Sequence, residues 1–392
     1  MTRRQLFGSL LTLVFLVNLA RVVFAPLLEP LRLSLGAIQT ELGLVATLAW
    51  LGSALPRIPM GYLLTRVPRH RVILGTGLVL TAAGAFTAIA WSVPTVMAGA
   101  FLMGLSSGAY FMAANPLVSE LFPDAVGRAI GTHGTAAQVA AVAAPATVSV
   151  ALLAGTWRFA VAGIGVAALL STAAFWLVAR RTALPDAGAA DRDLLTAARH
   201  QWRIILAGIA VLGFAGFAWN GVFNFYVTYL TTVKALSSGT ANALLTGVFA
   251  AGVPAFYVTG RLADRLPVVP LMLTILVAFA ACLLALTVAA GVVALAAASL
   301  ALGYAVHGMF PAVDTYLLGS LPDRHRASAY ATYSGLMMIV QATGSSVVGA
   351  LTDAGYAFDA VFRALGGGIV LVVVVLAVAS AAGRLPAAAR AR

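Results

Sequence analysis

Charge is scarce in this chain: 9% of its 392 residues are Asp, Glu, Lys or Arg, and acidic residues number only 12. A water-exposed surface needs roughly a quarter of its residues charged, so the shortage excludes an ordinary soluble domain. Cysteine is all but absent. The single Cys282 lies in an apolar stretch, which excludes an intrachain disulfide and any cysteine-built metal site, and leaves no sign of the redox compartment. Missing too are the residue sets an intramembrane enzyme needs at depth, a His-Glu-x-x-His helix or paired aspartates with a Gly-x-Gly-Asp pattern. No enzyme is expected, and the sequence asks for no cofactor and no metal. What fills the chain instead is apolar: 61% of it is hydrophobic and its mean hydropathy is +0.99. It reads as a polytopic membrane protein whose first partner is the lipid bilayer.

Twelve apolar segments run at about 6–31, 38–64, 72–92, 95–121, 127–153, 158–179, 203–232, 239–262, 268–289, 291–318, 327–350 and 358–382. The first is read as a retained helix and not a signal peptide, because it carries Arg21 and no small-residue cleavage site follows. Lys and Arg fall very unevenly between the two sides: 18 on one, 4 on the other (Arg32, Arg158, Lys234 and Arg363), with Arg21 and Arg57 inside spans. The formal net charge of +12 is therefore a topology signal and not the mark of a nucleic-acid partner. By the positive-inside rule the crowded side is cytoplasmic, which places both termini in the cytoplasm of a multi-pass cell-membrane protein.

Two loops look alike: Gly61-Tyr62-Leu63-Leu64-Thr65-Arg66-Val67-Pro68 and Gly260-Arg261-Leu262-Ala263-Asp264-Arg265-Leu266-Pro267, 199 positions apart. The same offset carries Pro123-Asp124 onto Pro322-Asp323 and Gly104 onto Gly303. Copies whose loops face the same side must each hold an even number of spans, so the period implies six plus six. The fold class is an all-α membrane protein with twelve transmembrane helices in two pseudo-symmetric six-helix halves. We expect an N-terminal half at 1–182, a cytoplasmic linker at 183–202 and a C-terminal half at 203–392. Duplicated membrane bundles are how transporters build halves that rock about a central site.

Polar residues are shared unevenly among the spans. The third, sixth, ninth and twelfth hold nothing more polar at depth than Thr, Ser, Trp or Cys282, as the run Ile369-Val370-Leu371-Val372-Val373-Val374-Val375 illustrates. The others hold Asn18, Arg21, Arg57, Tyr110, Asn115, His133, Gln138, Asn220, Asn224, Asn242, Tyr257, Tyr304, His307, Asp314, Tyr333 and Gln341. Polar groups at bilayer depth must face protein or water, so every third helix is peripheral and the rest surround a wet interior.

On these residues the chain resembles the major facilitator superfamily over essentially its whole length. That family's loop between spans 2 and 3 follows a Gly-x-x-x-Asp-Arg-x-Gly-Arg-Arg pattern, echoed between spans 8 and 9. The first copy here keeps Gly61, Arg66, Arg69 and Arg71, with Thr65 in the acidic place and Pro68 in that of the second glycine; the second keeps Gly260, Asp264 and Arg265. The resemblance implies that these residues latch the cytoplasmic side in one conformation, with Glu120, near Arg128, as a substitute partner for Arg66. The run Leu55-Pro56-Arg57-Ile58-Pro59-Met60-Gly61 also resembles, locally, the arginine-bearing span 2 of nitrate/nitrite porters, although Phe256 stands where those porters carry a second arginine. The arginine and the Gly-Pro-x-x-x-Gly kink of proton-coupled drug exporters are missing, their places being taken by Ala100 and by Ala143-Ala144-Pro145-Ala146-Thr147-Val148.

The chemistry of the interior is cationic. An arginine at bilayer depth costs roughly 2.5–3.5 kcal/mol on insertion scales, so Arg21 and Arg57 need a reason. Counted along their helices they are separate stations. Arg21 shares a helix face with Asn18, and its repeat counterpart Asn220 shares one with Asn224. A guanidinium keeps its charge and offers a bidentate fork to carboxylate, phosphate or nitrate-like oxyanions, which points to a small anionic substrate. A structural pair between Arg21 and Asp314 is the competing reading. Tyr304, His307, Pro311 and Asp314 share one face of span 10, and His307 and Asp314 are the candidates for coupling to a proton. Tyr330, Tyr333, Met337 and Gln341 share a face of span 11. The expected substrate-binding set is Arg21, Asn18, Arg57, Tyr110, Asn115, Gln138, Asn220, Asn224, Tyr304, Tyr333 and Gln341. The expectation is a secondary active transporter of a small organic or inorganic anion; the alternatives are a proton-coupled drug or metabolite exporter of the same superfamily and a non-transporting receptor on its scaffold.

Overall fold

Lipid leaves a backbone N–H or C=O no partner but the chain itself, so each apolar run has to close its hydrogen bonds internally. It does so as helix throughout. The computed structural model describes residues 2–122, 126–182, 184, 194–320 and 323–382. The side chains of Arg128, Asp264 and Asp314, and Gly61 and Thr65, lie outside the described residues, as do 183 and 185–193 of the expected linker. Among the described residues there are sixteen α-helices, one π-helical turn and no strand.

In the first half, span 1 is α1 (Thr2–Val22) with α2 (Phe24–Leu35), and span 2 is α3 (Gln39–Ala54) with α4 (Arg57–Arg66). Spans 3 to 6 are α5 (Arg69–Ala88), α6 (Val93–Leu121), α7 (Val126–Leu153) and α8 (Arg158–Ala179). In the second half, span 7 is α9 (Leu194–Gly208), the π turn Ile209–Gly213, α10 (Phe214–Asn224) and α11 (Tyr226–Thr232). Spans 8 to 12 are α12 (Ser238–Arg265), α13 (Val268–Val288), α14 (Val292–Ser320), α15 (Asp323–Asp353) and α16 (Phe358–Ala381).

Eleven of these helices are long and apolar enough to cross a membrane. The remaining predicted span, the second, is split at Leu55-Pro56 into pieces of 16 and 10 residues. Pro56 brings no N–H and its ring crowds the carbonyl of Gly52, which interrupts the ladder there. The first span of each half is also broken, at Val23 and at Phe225. Pro26 accounts for the first break by the same mechanism; the second has no proline within reach.

The chain forms two compact units, Met1–Arg192 and Asp193–Arg392. Within the first, α3 packs on α6, α6 on α5, α5 on α8 and α1 on α7; within the second, α12 packs on α14, α14 on α13, α13 on α16 and α10 on α15. The two schemes are the same scheme in repeat order. Identity reaches down to single atoms: a Cβ on Gly104 would strike the carbonyl of Ala49, and a Cβ on Gly303 would strike that of Val248. Both members of each pair differ by the 199-residue offset, so small residues bring backbones together at the same place twice. Tight connections are matched as well, with Gly155 at φ 112° ahead of α8 and Gly355 at φ 92° ahead of α16, a conformation L residues rarely adopt. Leu170, Leu371, Val374, Val375 and Val378 of the two sixth helices are exposed, as lipid-facing helices require.

The four cations of the arginine-poor side are all tied down within their own half. Arg32 donates from Nε and Nη2 to the Glu29 carboxylate at 3.0 and 2.6 Å. Arg158 Nη2 donates to the Ala90 carbonyl beyond the end of α5 at 2.8 Å. Lys234 Nζ donates to the Thr287 carbonyl at 2.7 Å, and Arg363 Nε to the Thr287 hydroxyl at 3.1 Å, in the last turn of α13. Cations at helix C-termini meet the negative end of the helix dipole and its unpaired carbonyls.

Candidate functional site

In the first half the sequence-predicted pair comes together as one assembly. Asn18 and Arg21 lie one turn apart on α1, and Asn18 Oδ1 accepts from Arg21 Nη2 at 2.7 Å. Asn18 itself is buried and donates from Nδ2 to the Ala137 carbonyl of α7 at 2.6 Å, which fixes its orientation. The guanidinium lies over the Trp50 ring, Cζ 4.4 Å from the centroid, and Nη1 reaches Ser53 Oγ at 3.4 Å. Nε is buried with no hydrogen-bond partner among the described residues. No carboxylate among the described residues forms an ion pair with Arg21. A stacked cation gains about 0.5–2 kcal/mol from a ring and about 1.5–3 kcal/mol from a charged hydrogen bond, enough to offset much of its insertion cost without neutralising it. Arg57 is half-buried at the start of α4, beyond the break in span 2.

The other residues of the set are dispersed. Tyr110 is fully buried, its hydroxyl donating to the Leu10 carbonyl at 2.7 Å and accepting from His133 Nε2 at 3.1 Å, with the two rings stacked 5.8 Å apart. That ties α6 and α7 to α1. Asn115 is exposed and Gln138 half-buried. On the arginine-rich side Glu120 pairs with Arg69 at 2.9 Å, joining the end of α6 to the start of α5, while Arg66 and Arg71 are exposed. The expected Arg66–Glu120 pair is thus an Arg69–Glu120 pair.

In the second half Asn220 and Asn224 do share a face of α10, and both are buried against Ser345 of α15. Asn224 Nδ2 donates to Ser345 Oγ at 3.0 Å and to Asn220 Oδ1 at 3.2 Å; Ser345 Oγ donates to Asn220 Oδ1 at 2.7 Å. Gln341 and Tyr333 meet through Met337, whose sulfur lies 3.7 Å from Gln341 Nε2 and 3.5 Å from the Tyr333 hydroxyl. His307 is buried among Trp219, Phe249 and Phe256, with centroids at 5.8, 5.9 and 6.1 Å, and its Nδ1 donates to the Gly303 carbonyl at 2.7 Å. Tyr304 is 40% exposed. Arg261 stacks on Tyr257 at 4.0 Å, Gly260 has open space around it and Arg265 is exposed. The side chains of the expected site residues Asp264, Asp314 and Arg128, and Gly61, lie outside the described residues. Nothing in the sequence singles out Trp50, Ser53, Ser345, Trp219 or Phe249, since each gains its meaning from a helix distant in the sequence.

The family model described as Major Facilitator Superfamily matches residues 10–238 and 209–391. A comparison with curated proteins finds no match. Among solved structures, the chain is similar to a bacterial homologue of the human lysosomal transporter Spinster in an inward-facing, unoccupied conformation (17% identity, TM-score 0.74, covering 97% of this chain and 96% of that one). It is similar to a D-xylose–proton symporter (16%, 0.78, 95% and 96%) and to a nucleoside transporter (12%, 0.80, 95% and 99%). At such identities these likenesses speak to the fold, and the family model to membership. The chain belongs to the Major Facilitator Superfamily and is a multi-pass membrane transporter, not an enzyme.

Proposed function

We propose that the chain is a secondary active transporter of a small anion, working by alternating access, with Arg21 as the group that holds the negative charge. The observation that carries this is the guanidinium itself: it is braced on three sides by Asn18, Trp50 and Ser53, and its Nε has no partner among the described residues. A fork whose Nε edge is unfilled suits the two oxygens of a carboxylate or nitrate-like anion. Within the second half, Trp219, Phe249 and Phe256 form an aromatic wall around His307 that suits an organic body. The same wall is the one observation in favour of the second reading, an exporter of apolar organic solutes coupled to protons. His307 and Asp314 are the proposed proton-coupling groups, and the Asn220–Asn224–Ser345 cluster is assigned to holding α10 on α15. The protein is placed in the cell membrane with its arginine-rich side and both termini in the cytoplasm, six helices to each half, and its two glycine–arginine loops acting as a conformational latch.

The test is a thermal-shift series on purified protein with lactate, succinate, nitrate and phosphate, since a ligand of the folded state raises its apparent stability. At least one anion is expected to stabilise wild type. Arg21→Lys should weaken that effect and Arg21→Ala abolish it with the fold intact. Stabilisation that survives Arg21→Ala removes the reading.

A further inference from the structure

Spans 5 and 6 of the first half do not close on each other. α7 and α8 both pack on α1 but touch one another little, and between them runs a groove of about 530 Å³ floored by Leu16 and Leu19 of α1. Its walls are small, Ala143 and Ala146 on one side and Ala160, Gly163 and Ala167 on the other, so the gap stays open. The repeat shows what fits there. Phe159 and Gly163 correspond to Phe358 and Phe362, 199 positions on. In the second half the Phe362 ring is fully buried, with centroids 6.0 Å from Phe358 and 4.9 Å from Tyr229. In the first half no side chain takes that place: a Cβ on Gly163 would meet nothing within 4 Å, and Phe159 is left 55% exposed. One half supplies its own apolar filling; the other leaves room for a body from outside.

That body is apolar along its length. Thr147 carries the one hydroxyl of the lining and donates it to the Ala143 carbonyl of its own helix at 3.0 Å, so no side chain in the groove offers a polar ligand a hydrogen bond. It is also as long as one leaflet is deep. From Ala143 to Ala154, just past the end of α7, the groove runs about 16 Å, half of a hydrocarbon core roughly 30 Å thick. Its end is negative. At the α7–α8 turn, on the arginine-poor side, Arg158 adjoins the lining residue Phe159, held by the Ala90 carbonyl at 2.8 Å and stacked at 4.6 Å on the buried Trp157. No carboxylate among the described residues pairs with Arg158, whereas Arg32 on the same side is neutralised by Glu29. A Trp–Arg pair at a span end stands at headgroup level. We infer that the groove holds one acyl chain of a phospholipid whose phosphate rests on Arg158.

Native mass spectrometry of the purified full-length protein reads bound lipid and oligomeric state in one spectrum. Titrated with dioleoylphosphatidylglycerol, wild type should be a monomer that takes up a first lipid well ahead of the rest. Dioleoylglycerol has the same chains and no phosphate, and should bind about fivefold more weakly; Arg158→Gln should bind the two alike, since a basic side chain at the membrane surface is worth about that factor. Gly163→Phe copies the filling of the second half and should weaken the first lipid at least about tenfold by displacing buried methylenes. Where Gly163→Phe does not fold, the ring is added afterwards: Val150→Cys on the exposed rim, in a Cys282→Ser background, is alkylated with N-benzylmaleimide once purified, and the same loss is expected. Wild-type affinity in a folded Gly163→Phe or in the alkylated protein overturns the inference, as does the absence of a distinct first lipid in wild type. Equal binding of the two lipids by wild type overturns the phospholipid assignment. A wild-type dimer that Gly163→Phe splits would show that a second copy covers the groove, and overturns it as well.

Discussion

Arg21 lies across the indole of Trp50, its Cζ 4.4 Å from the ring centroid, and no aliphatic side chain could hold a guanidinium in that attitude. Trp50→Phe should keep a weaker version of the contact and Trp50→Leu remove it. A loss of about 0.5–2 kcal/mol corresponds to a roughly 2- to 30-fold rise in the anion concentration needed for half-maximal uptake. Transport kinetics in proteoliposomes check this. Equal affinities for Trp50→Leu and wild type would show that the ring has no part in presenting the cation.

The Asn220–Asn224–Ser345 cluster makes a prediction of a different kind. Each side chain is buried, and removing one leaves the others with unmet hydrogen bonds. Ser345→Ala and Asn224→Ala should each cost about 1–3 kcal/mol, read as a lowered unfolding temperature in detergent. Their double mutant should lose less than the sum, because the partners are orphaned only once. Unchanged unfolding temperatures would argue against the cluster as a brace for α10 on α15.

Glycines Gly104 and Gly303 allow a paired test of the repeat. A methyl at either meets a backbone carbonyl of the neighbouring helix, so Gly104→Ala and Gly303→Ala should both destabilise, by similar amounts of about 1–3 kcal/mol. Gly75→Ala in α5 meets nothing within 4 Å and serves as the control, neutral or stabilising by up to about 1 kcal/mol. If the two repeat-related variants behave like the control, the close backbone approach does not exist in the membrane.

Orientation is tested by accessibility. In a Cys282→Ser background, single cysteines in place of His70 and Lys234 are treated in intact cells with a membrane-impermeant maleimide. Labelling is expected near Lys234 and not at His70. The reverse pattern would invert the assignment of sides.

Much of the fold can be read from the sequence because lipid permits so few structures. Long apolar runs must be helices, and an offset that repeats loops and a glycine must repeat the packing between them. What escapes that reading is where a helix breaks. Pro56 interrupts span 2, yet Pro116, Pro145, Pro254 and Pro311 sit inside continuous helices, so proline alone does not mark the break. The π turn at Ile209–Gly213 and the break at Phe225 have no residue signature at all. The site shows the same division. That Asn18 and Arg21 share a face follows from their spacing of three, and so does the sharing of a face by Asn220 and Asn224. Trp50, Ser53 and Ser345 arrive from other helices, and choosing Arg69 over Arg66 for Glu120 depends on the turn by which α5 meets α6. Neither kind of fact is local, so neither leaves a local mark.

The split of span 2 gives that helix unequal stiffness. Above Pro56, α3 is locked to α6 by backbone contacts at Gly52, Gly104 and Gly108. Below it, α4 is a rod of 10 residues, about 15 Å long, attached through the discontinuity at Leu55-Pro56 and ending at the exposed Arg66. A rod of that length converts a tilt of roughly 5° at its root into a displacement of about 1 Å at its tip. Arg57, at the root, moves very little in such a tilt. The first half thus carries one cation, Arg57, at the root of this short rod and another, Arg66, at its exposed tip.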